Sequence, residues 1–311
     1  MQLTIDARVT GPGAILDLFM HVVRHGLGAA CVGTVIALLL SRSGNNDSGV
    51  VTSPDLTVLH RAPRVWTIRN FVSPSEVDAL VALVDAAERA RDPRCWDRVS
   101  SHQSTAMIER CPQLAEAPLM RVIDARVAAA LNTTLRRIEH GYYQVYRGGY
   151  SPHNVHLDQG FEMVPARIAS VIIYLDSQPR GACSGSTLFP FLERAGSSEK
   201  AAAYISMQLQ AWDRKLEKGL ITSRFFTADG IGAELFARFK RLCAAGRGVL
   251  PVRGTALFFE GRVRSTRSDD SAKPADMLVE TIQAAHGSCG LPDDAPTKRV
   301  LVKLACDGDV R

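Results

Sequence analysis

The sequence predicts a mainly β domain buttressed by helices, and three observations carry that expectation. The amphipathic helical patterns come early, at about 74–91 and 119–131. After residue 138 most apolar runs are short and rich in aromatic and β-branched residues, as strands are. With 311 residues, 46% of them hydrophobic, the chain can bury the core of one large domain or two small ones. Helices followed by many strands suggest an all-β core with helices laid against it.

The chain begins differently. Gly26–Leu40 is uncharged and mostly apolar, shorter than the roughly 20 residues a spanning helix needs. Extended back through Leu18–Val23 it becomes long enough but takes in Arg24, and Ser41–Gly44 makes a poor cleavage site. Residues 14–40 are therefore expected to be an uncleaved signal-anchor, the alternative being a buried N-terminal helix. Such an anchor places the domain in the lumen of the endoplasmic reticulum or another secretory-pathway membrane; without it the protein is cytoplasmic. Ser41–Ser53 has linker composition. The domain boundaries expected are 1–53 for the apolar segment and linker, and 54–311 for the folded part.

Folding is expected to start near Pro63 with a strand at Val65–Ile68. Ser73 can cap the next helix, Pro74 suits its first position, and Glu76 completes a capping box. Val77, Leu80, Val81 and Val84 then recur at helical spacing to about Arg91. Leu119–Leu131 is the second helix. Strands are expected at Ile138–Arg147, Arg167–Asp176, Ser186–Phe191, Thr255–Glu260, Leu278–Ala285 and Lys298–Cys306. Residues 196–247 read as an insertion with helices at Ala201–Leu216 and Ile231–Ala244. The seven cysteines are odd in number and include no C-x-x-C pair, which argues against a zinc ribbon or a disulfide framework and leaves room for one or two disulfides. The net charge of +5 is scattered, with no basic stripe interleaved with aromatics, so nucleic acid is not indicated as a partner.

The chemistry is carried by His156-Leu157-Asp158. On an extended strand residues i and i+2 share a face, so this imidazole and this carboxylate can converge on one ion. A second histidine from a distant strand would complete the two-His-one-carboxylate triad that covers one face of an octahedral metal. His286, at the end of a β-like run, is the candidate. Lys298, twelve residues on, could meet the far carboxylate of a dicarboxylate cosubstrate.

The order of these motifs resembles the prolyl 4-hydroxylase branch of the 2-oxoglutarate/Fe(II) dioxygenases, from Pro63 to Cys306. Pro63–Glu76 is similar to that family's opening strand and capped helix. Gln144-Val145-Tyr146, Tyr150 and His156-Leu157-Asp158 resemble its first ligand segment. Tyr174-Leu175-Asp176 and Gly185–Pro190 resemble its next pair, and Pro251–Phe259 its Pro-x-x-Gly-x-Ala-Leu-x-Phe strand. His286 with Cys289, then Thr297-Lys298 and Val300, resemble its ending. Val155 leaves His153 with no carboxylate two residues on, which selects His156 as the first ligand. Ser184-Gly185-Ser186 departs from the family's Gly-Gly-Glu run. Arg299 stands in place of the usual Trp and could compete with Lys298, and the His286–Lys298 spacing is two residues longer than usual.

The resemblance implies a double-stranded β-helix, or jelly roll, buttressed by N-terminal helices and carrying a helical insertion. It implies Fe(2+) on His156, Asp158 and His286, with no catalytic side chain beyond these ligands. Lys298 would hold 2-oxoglutarate, with Thr187 and Tyr146 as neutral donors nearby and Tyr150 as the rival of Tyr146. L-ascorbate would rescue over-oxidised iron. The implied reaction is hydroxylation of a peptidyl substrate, proline first. Alternatives are the same chemistry on a lysyl, nucleobase or small-molecule substrate, or a catalytically silent binding module. The insertion would be a lid, a substrate groove or decoration. Asn46 and Asn132 head acceptor sequons in a secretory lumen, Asn132 at a helix end where it could be hidden.

Overall fold

The computed structural model describes residues 55–61, 63–90, 93–152, 154–158, 165–181, 184–192, 225–227, 233–264, 278–280 and 282–310. The chain divides into Met1–Thr52 and Ser53–Arg311, and all of these residues belong to the second unit. The expected anchor at 14–40, the Asn46 sequon, the 201–216 helix and His153 lie outside them. No helix among the described residues is long and apolar enough to cross a membrane.

The second unit opens with a hairpin of β1 (Leu56–Arg61) and β2 (Arg64–Ile68), so regular structure begins a strand earlier than Pro63. Helix α1 (Pro74–Ala90) follows with the expected capping box. Ser73 N donates to Glu76 Oε2 at 2.9 Å and Glu76 N to Ser73 Oγ at 3.3 Å, each satisfying an amide the helix cannot. A second hairpin, β3 (Trp96–Ser100) and β4 (Gln103–Met107), lies where no strand was expected. Polar residues fill it, and its exposed edge strand lacks the apolar alternation that betrays a strand. The short helix α2 (Pro112–Ala115) leads to α3 (Pro118–Ala130). Asn132 ends α3 with a left-handed φ of 52°. Asn132 N donates to Ala129 O and Thr133 N to Ala128 O, a Schellman closure made with Asn in place of Gly. Asn132 is exposed, not hidden.

The remaining elements are β5 (Tyr142–Tyr146), β6 (Asn154–His156), β7 (Arg167–Tyr174), β8 (Thr187–Leu188), β9 (Phe225–Thr227), α4 (Ala233–Ala244), β10 (Ala256–Glu260), β11 (Arg262–Arg264), β12 (Leu278–Glu280), β13 (Gly287–Ser288) and β14 (Lys298–Cys306). The run expected as one strand at 278–285 breaks into β12 and a 3-10 turn at Ile282–Ala284.

The large sheet has eight strands in the order β1-β2-β10-β7-β14-β5-β4-β3, antiparallel throughout. Strand parity divides its two faces. Tyr143, Val145, Val171, Ile173, Phe258, Leu301 and Ala305 point to one face and pack under Val77, Leu80 and Val84 of α1 and Ile123 and Val127 of α3. On the same side Lys303 of β14 is fully buried and pairs with Asp124 of α3 at 2.7 Å. The opposite face carries Tyr146, Ile172, Tyr174, Leu257, Phe259, Val300 and Val302.

Short antiparallel pairs build the second layer. β9 pairs with β6, His156 bridges to His286 beside β13, and β13 pairs with β8, which bridges to Val249. Inner and outer residues alternate here too. Val155, Leu188, Ala285 and Cys289 face outward onto Phe236, Phe239 and Cys243 of α4. Mainly β, with two antiparallel layers and helices outside, this is the jelly-roll architecture. The described end of the insertion, β9 and α4, packs against this layer and buttresses it.

Two disulfides bear on the cysteine expectation. Cys95–Cys111 spans 16 residues beside β3, and Cys243–Cys289 spans 46 and ties α4 to the strand after His286. Cys306 is free and buried.

Candidate metal centre

The backbone itself brings the two histidines together. His156 N donates to His286 O and His286 N to His156 O, both at 2.9 Å. Residues that exchange both bonds stand directly opposite each other, with side chains on one side of the sheet. The imidazole centroids lie 4.6 Å apart. Asp158, two residues past His156, falls on the same face. Its Oδ1 is 3.4 Å from His156 Nε2, and its Oδ2 is 3.7 Å from His286 Nε2. One ligand atom from each of the three residues lies within 4.8 Å of the other two. Among the described residues no other group of His, Cys, Asp or Glu converges in this way.

The electrostatics suit a cation. Burial works against the Asp158 carboxylate, but His286 and His156 beside it outweigh burial and hold it well below the usual carboxylate range. Burial pushes His286 down to about 4, leaving a neutral imidazole near neutral pH. His286 Nδ1 lies 3.1 Å from Ala284 O, which turns Nε2 inward as the free ligand atom. Asp158 Oδ2 is buried without a hydrogen-bond partner. An orphaned carboxylate oxygen costs free energy unless something positive meets it. An ion held by the three residues would satisfy it, so the donor set fits a metal of the Fe(II) type. Phe259 and Phe189 pack against the His286 ring, with centroids at 4.6 and 5.6 Å, and keep that side dry.

Lys298 stands farther along the same inner face. It begins β14 on the inner face and is 2% exposed. Its Nζ donates to Gly185 O at 2.6 Å and Ser288 Oγ at 2.7 Å, and lies 4.8 Å from the Tyr146 ring centre. Burial pushes it down to about 7, and no carboxylate among the described residues offsets that. Gly185 makes room for this: its φ is +64°, and a Cβ there would come within 3.1 Å of Lys298 Cδ. Arg299 faces the opposite side and is held by Asp176 and Asp85 at 3.2 and 3.5 Å, so it does not compete on the inner face.

The other expected residues line this region. Thr187 is buried, and its Oγ1 accepts from Tyr174 at 2.8 Å, a bond that joins the two layers. Tyr146 donates its hydroxyl to Gln144 at 2.5 Å, and Tyr150 packs against the Tyr146 ring edge-on. Three neighbours of the site were not anticipated. Tyr142 OH reaches Asp158 Oδ1 at 3.5 Å, Ser288 holds Lys298, and Tyr174 holds Thr187. Parity was the available signal: Tyr142 shares a face with Tyr146, and Ser288 shares one with His286.

No protein-family model and no curated protein matches the chain. Among solved structures it is similar to a truncated viral collagen prolyl hydroxylase from Paramecium Bursaria Chlorella virus-1, at 18% identity over 85% of this chain and 100% of that one, with a TM-score of 0.42. EvdO2 from Micromonospora carbonacea var. aurantiaca is 15% identical over 86% and 96%, with a TM-score of 0.42. A Pseudomonas putida prolyl-4-hydroxylase is 16% identical over 78% and 91%, with a TM-score of 0.35. Likenesses of this size do not transfer an activity.

Proposed function

We propose that the chain is a 2-oxoglutarate-dependent oxygenase that holds Fe(II) on His156, Asp158 and His286 and hydroxylates a peptidyl substrate, proline first. One observation carries the reading: a buried carboxylate oxygen without a hydrogen-bond partner between two imidazoles, with a buried lysine nearby that no carboxylate among the described residues neutralises. Ser288 links the two parts of the site: it lies two strand residues beyond His286, about 7 Å, and bonds Lys298. A dicarboxylate bound between them would meet the ion at one end and the Lys298 ammonium at the other.

Bound iron would supply the one-electron and dioxygen chemistry that side chains cannot. The protein's own work is positional. The ionised Asp158 and neutral His286 present lone pairs to the ion. Lys298 neutralises the distal carboxylate, and the aromatic rings around His286 exclude water. His156, Asp158 and His286 would hold the ion with three donors and leave room beside it for cosubstrate and oxygen. L-ascorbate enters the same reading as the reductant that keeps the iron ferrous.

The test is succinate release from 2-oxoglutarate with Fe(II) and a proline-containing peptide. Asp158→Ala is expected to abolish it while the protein stays folded, and undiminished turnover in that variant would overturn the reading. Hydroxylation of a lysyl, nucleobase or small-molecule substrate instead would keep the chemistry and replace the substrate.

A lumenal location belongs to the same proposal, since Cys95–Cys111 and Cys243–Cys289 suit an oxidising compartment. Recovery of all four cysteines as free thiols from intact cells would remove it.

A further inference from the structure

We infer that Arg167 and Glu139 are positioning residues for the metal centre: together they clamp the backbone of Asp158 and set its carboxylate against the two histidines. This rests on the metal-binding reading above.

The three ligands are not held alike. His156 and His286 are locked to each other by two backbone hydrogen bonds, and His156 is further paired within β6 and β9. Asp158 lies beyond the end of β6 and takes part in no ladder. Its carbonyl oxygen is instead gripped by Arg167 Nη1 at 3.1 Å. Arg167 is itself fixed, because its Nε and Nη2 donate to the two oxygens of Glu139 at 2.7 and 2.8 Å. A forked pair of this kind restrains direction as well as distance.

Both partners are anchored. Arg167 opens β7, and Glu139 N donates to Leu304 O of β14 at 2.9 Å, so the fork is built on the large sheet. The Cys306 thiol donates to Glu139 Oε1 at 3.2 Å and steadies the acid from behind. Burial of both side chains is substantial, at 20% and 21% exposure, which sets this pair apart from a solvated surface bridge. The clamp thus transfers the rigidity of the large sheet to the one ligand that the small layer leaves unsupported. Outer partners of metal ligands typically matter by about 10–100-fold in affinity.

The experiment is a Co(2+) titration of the full chain, followed by the metal's visible absorption, with a thermal melt of each variant. Arg167→Gln is expected to weaken Co(2+) binding by about 10–100-fold and to change the shape of the bound-cobalt spectrum. Glu139→Gln should act in the same direction, and Arg167→Lys, which keeps the charge without the fork, should restore binding only in part. The double variant should be no worse than Arg167→Gln alone, because the two residues act as one unit. Arg136→Gln, which removes an exposed bridge to Asp309, should bind like the parent. Parent-like cobalt affinity and spectrum in Glu139→Gln and Arg167→Lys would overturn the clamp, whether or not Arg167→Gln folds. Failure of the parent to bind Co(2+) would overturn the metal reading itself, a result distinct from loss of the clamp.

Discussion

Lys298 is a charge in a place that disfavours charge. Burial pushes it from its ordinary 10.5 to about 7, and two neutral acceptors hold its Nζ without neutralising it. Between pH 7 and 10.5 the unfolded chain keeps a proton that the folded chain has lost, so stability of the ligand-free protein rises with pH across that window. A dicarboxylate prefers the protonated amine, so 2-oxoglutarate affinity should be greatest at and below pH 7. It should then fall toward a limit of about tenfold per pH unit above it. Calorimetric titrations at several pH values would check this. Lys298→Met should both weaken binding and flatten the profile. His286 obeys the same rule at acid pH: held at about 4, it costs stability as pH falls from 6.5 to 4, because the unfolded imidazole takes its proton first. At the residue scale the convergence of His156, Asp158 and His286 was readable, because residue type and strand spacing put their donor atoms together. The sequence was not readable in Arg167, whose partner Glu139 lies 28 residues away and carries no local pattern, and for Ser288 it offered parity with His286 but nothing that pointed to Lys298, 10 residues on.

Among the elements, those with a local cause were legible. The capping box placed α1, and a continuous apolar centre placed β7. The hairpin of β3 and β4 was missed because an edge strand facing water need not alternate. Nor could residue spacing say which cysteines pair, since Cys243 and Cys289 meet only once α4 lies on the small layer. That bond closes a 46-residue loop. Cys243→Ser should therefore lower stability by about 2–4 kcal/mol in a denaturant melt. The metal site should loosen with it, since Cys289 is three residues from His286. A variant with parent-like stability would show that α4 is held by its Phe236 and Phe239 packing alone.

For the molecule as a whole, period-two alternation does most of the organising. On β14 it sends Lys298, Val300 and Val302 to the inner face, and Arg299, Leu301 and Lys303 to the helices. A slip of one residue would exchange the two sets and destroy the site. The sequence announced this strand's span residue for residue, but the fate of Lys303 depends on α3 arriving opposite it. Its pairing with Asp124 is fully enclosed. Asp124→Leu should cost about 3–5 kcal/mol by leaving the buried lysine's charge without its counter-ion while its Nζ still donates to His140 O, whereas adding Lys303→Met should recover most of the loss. Equal destabilisation in the single and double variants would contradict that account.

His156, Asp158 and His286 define one candidate ion position. The most direct measurement is anomalous diffraction at the iron edge from crystals loaded anaerobically with Fe(II) and 2-oxoglutarate. A single peak bonded to His156 Nε2, Asp158 and His286 Nε2 is expected, with the far carboxylate of 2-oxoglutarate on Lys298. A peak elsewhere, or none at saturating iron, would contradict it.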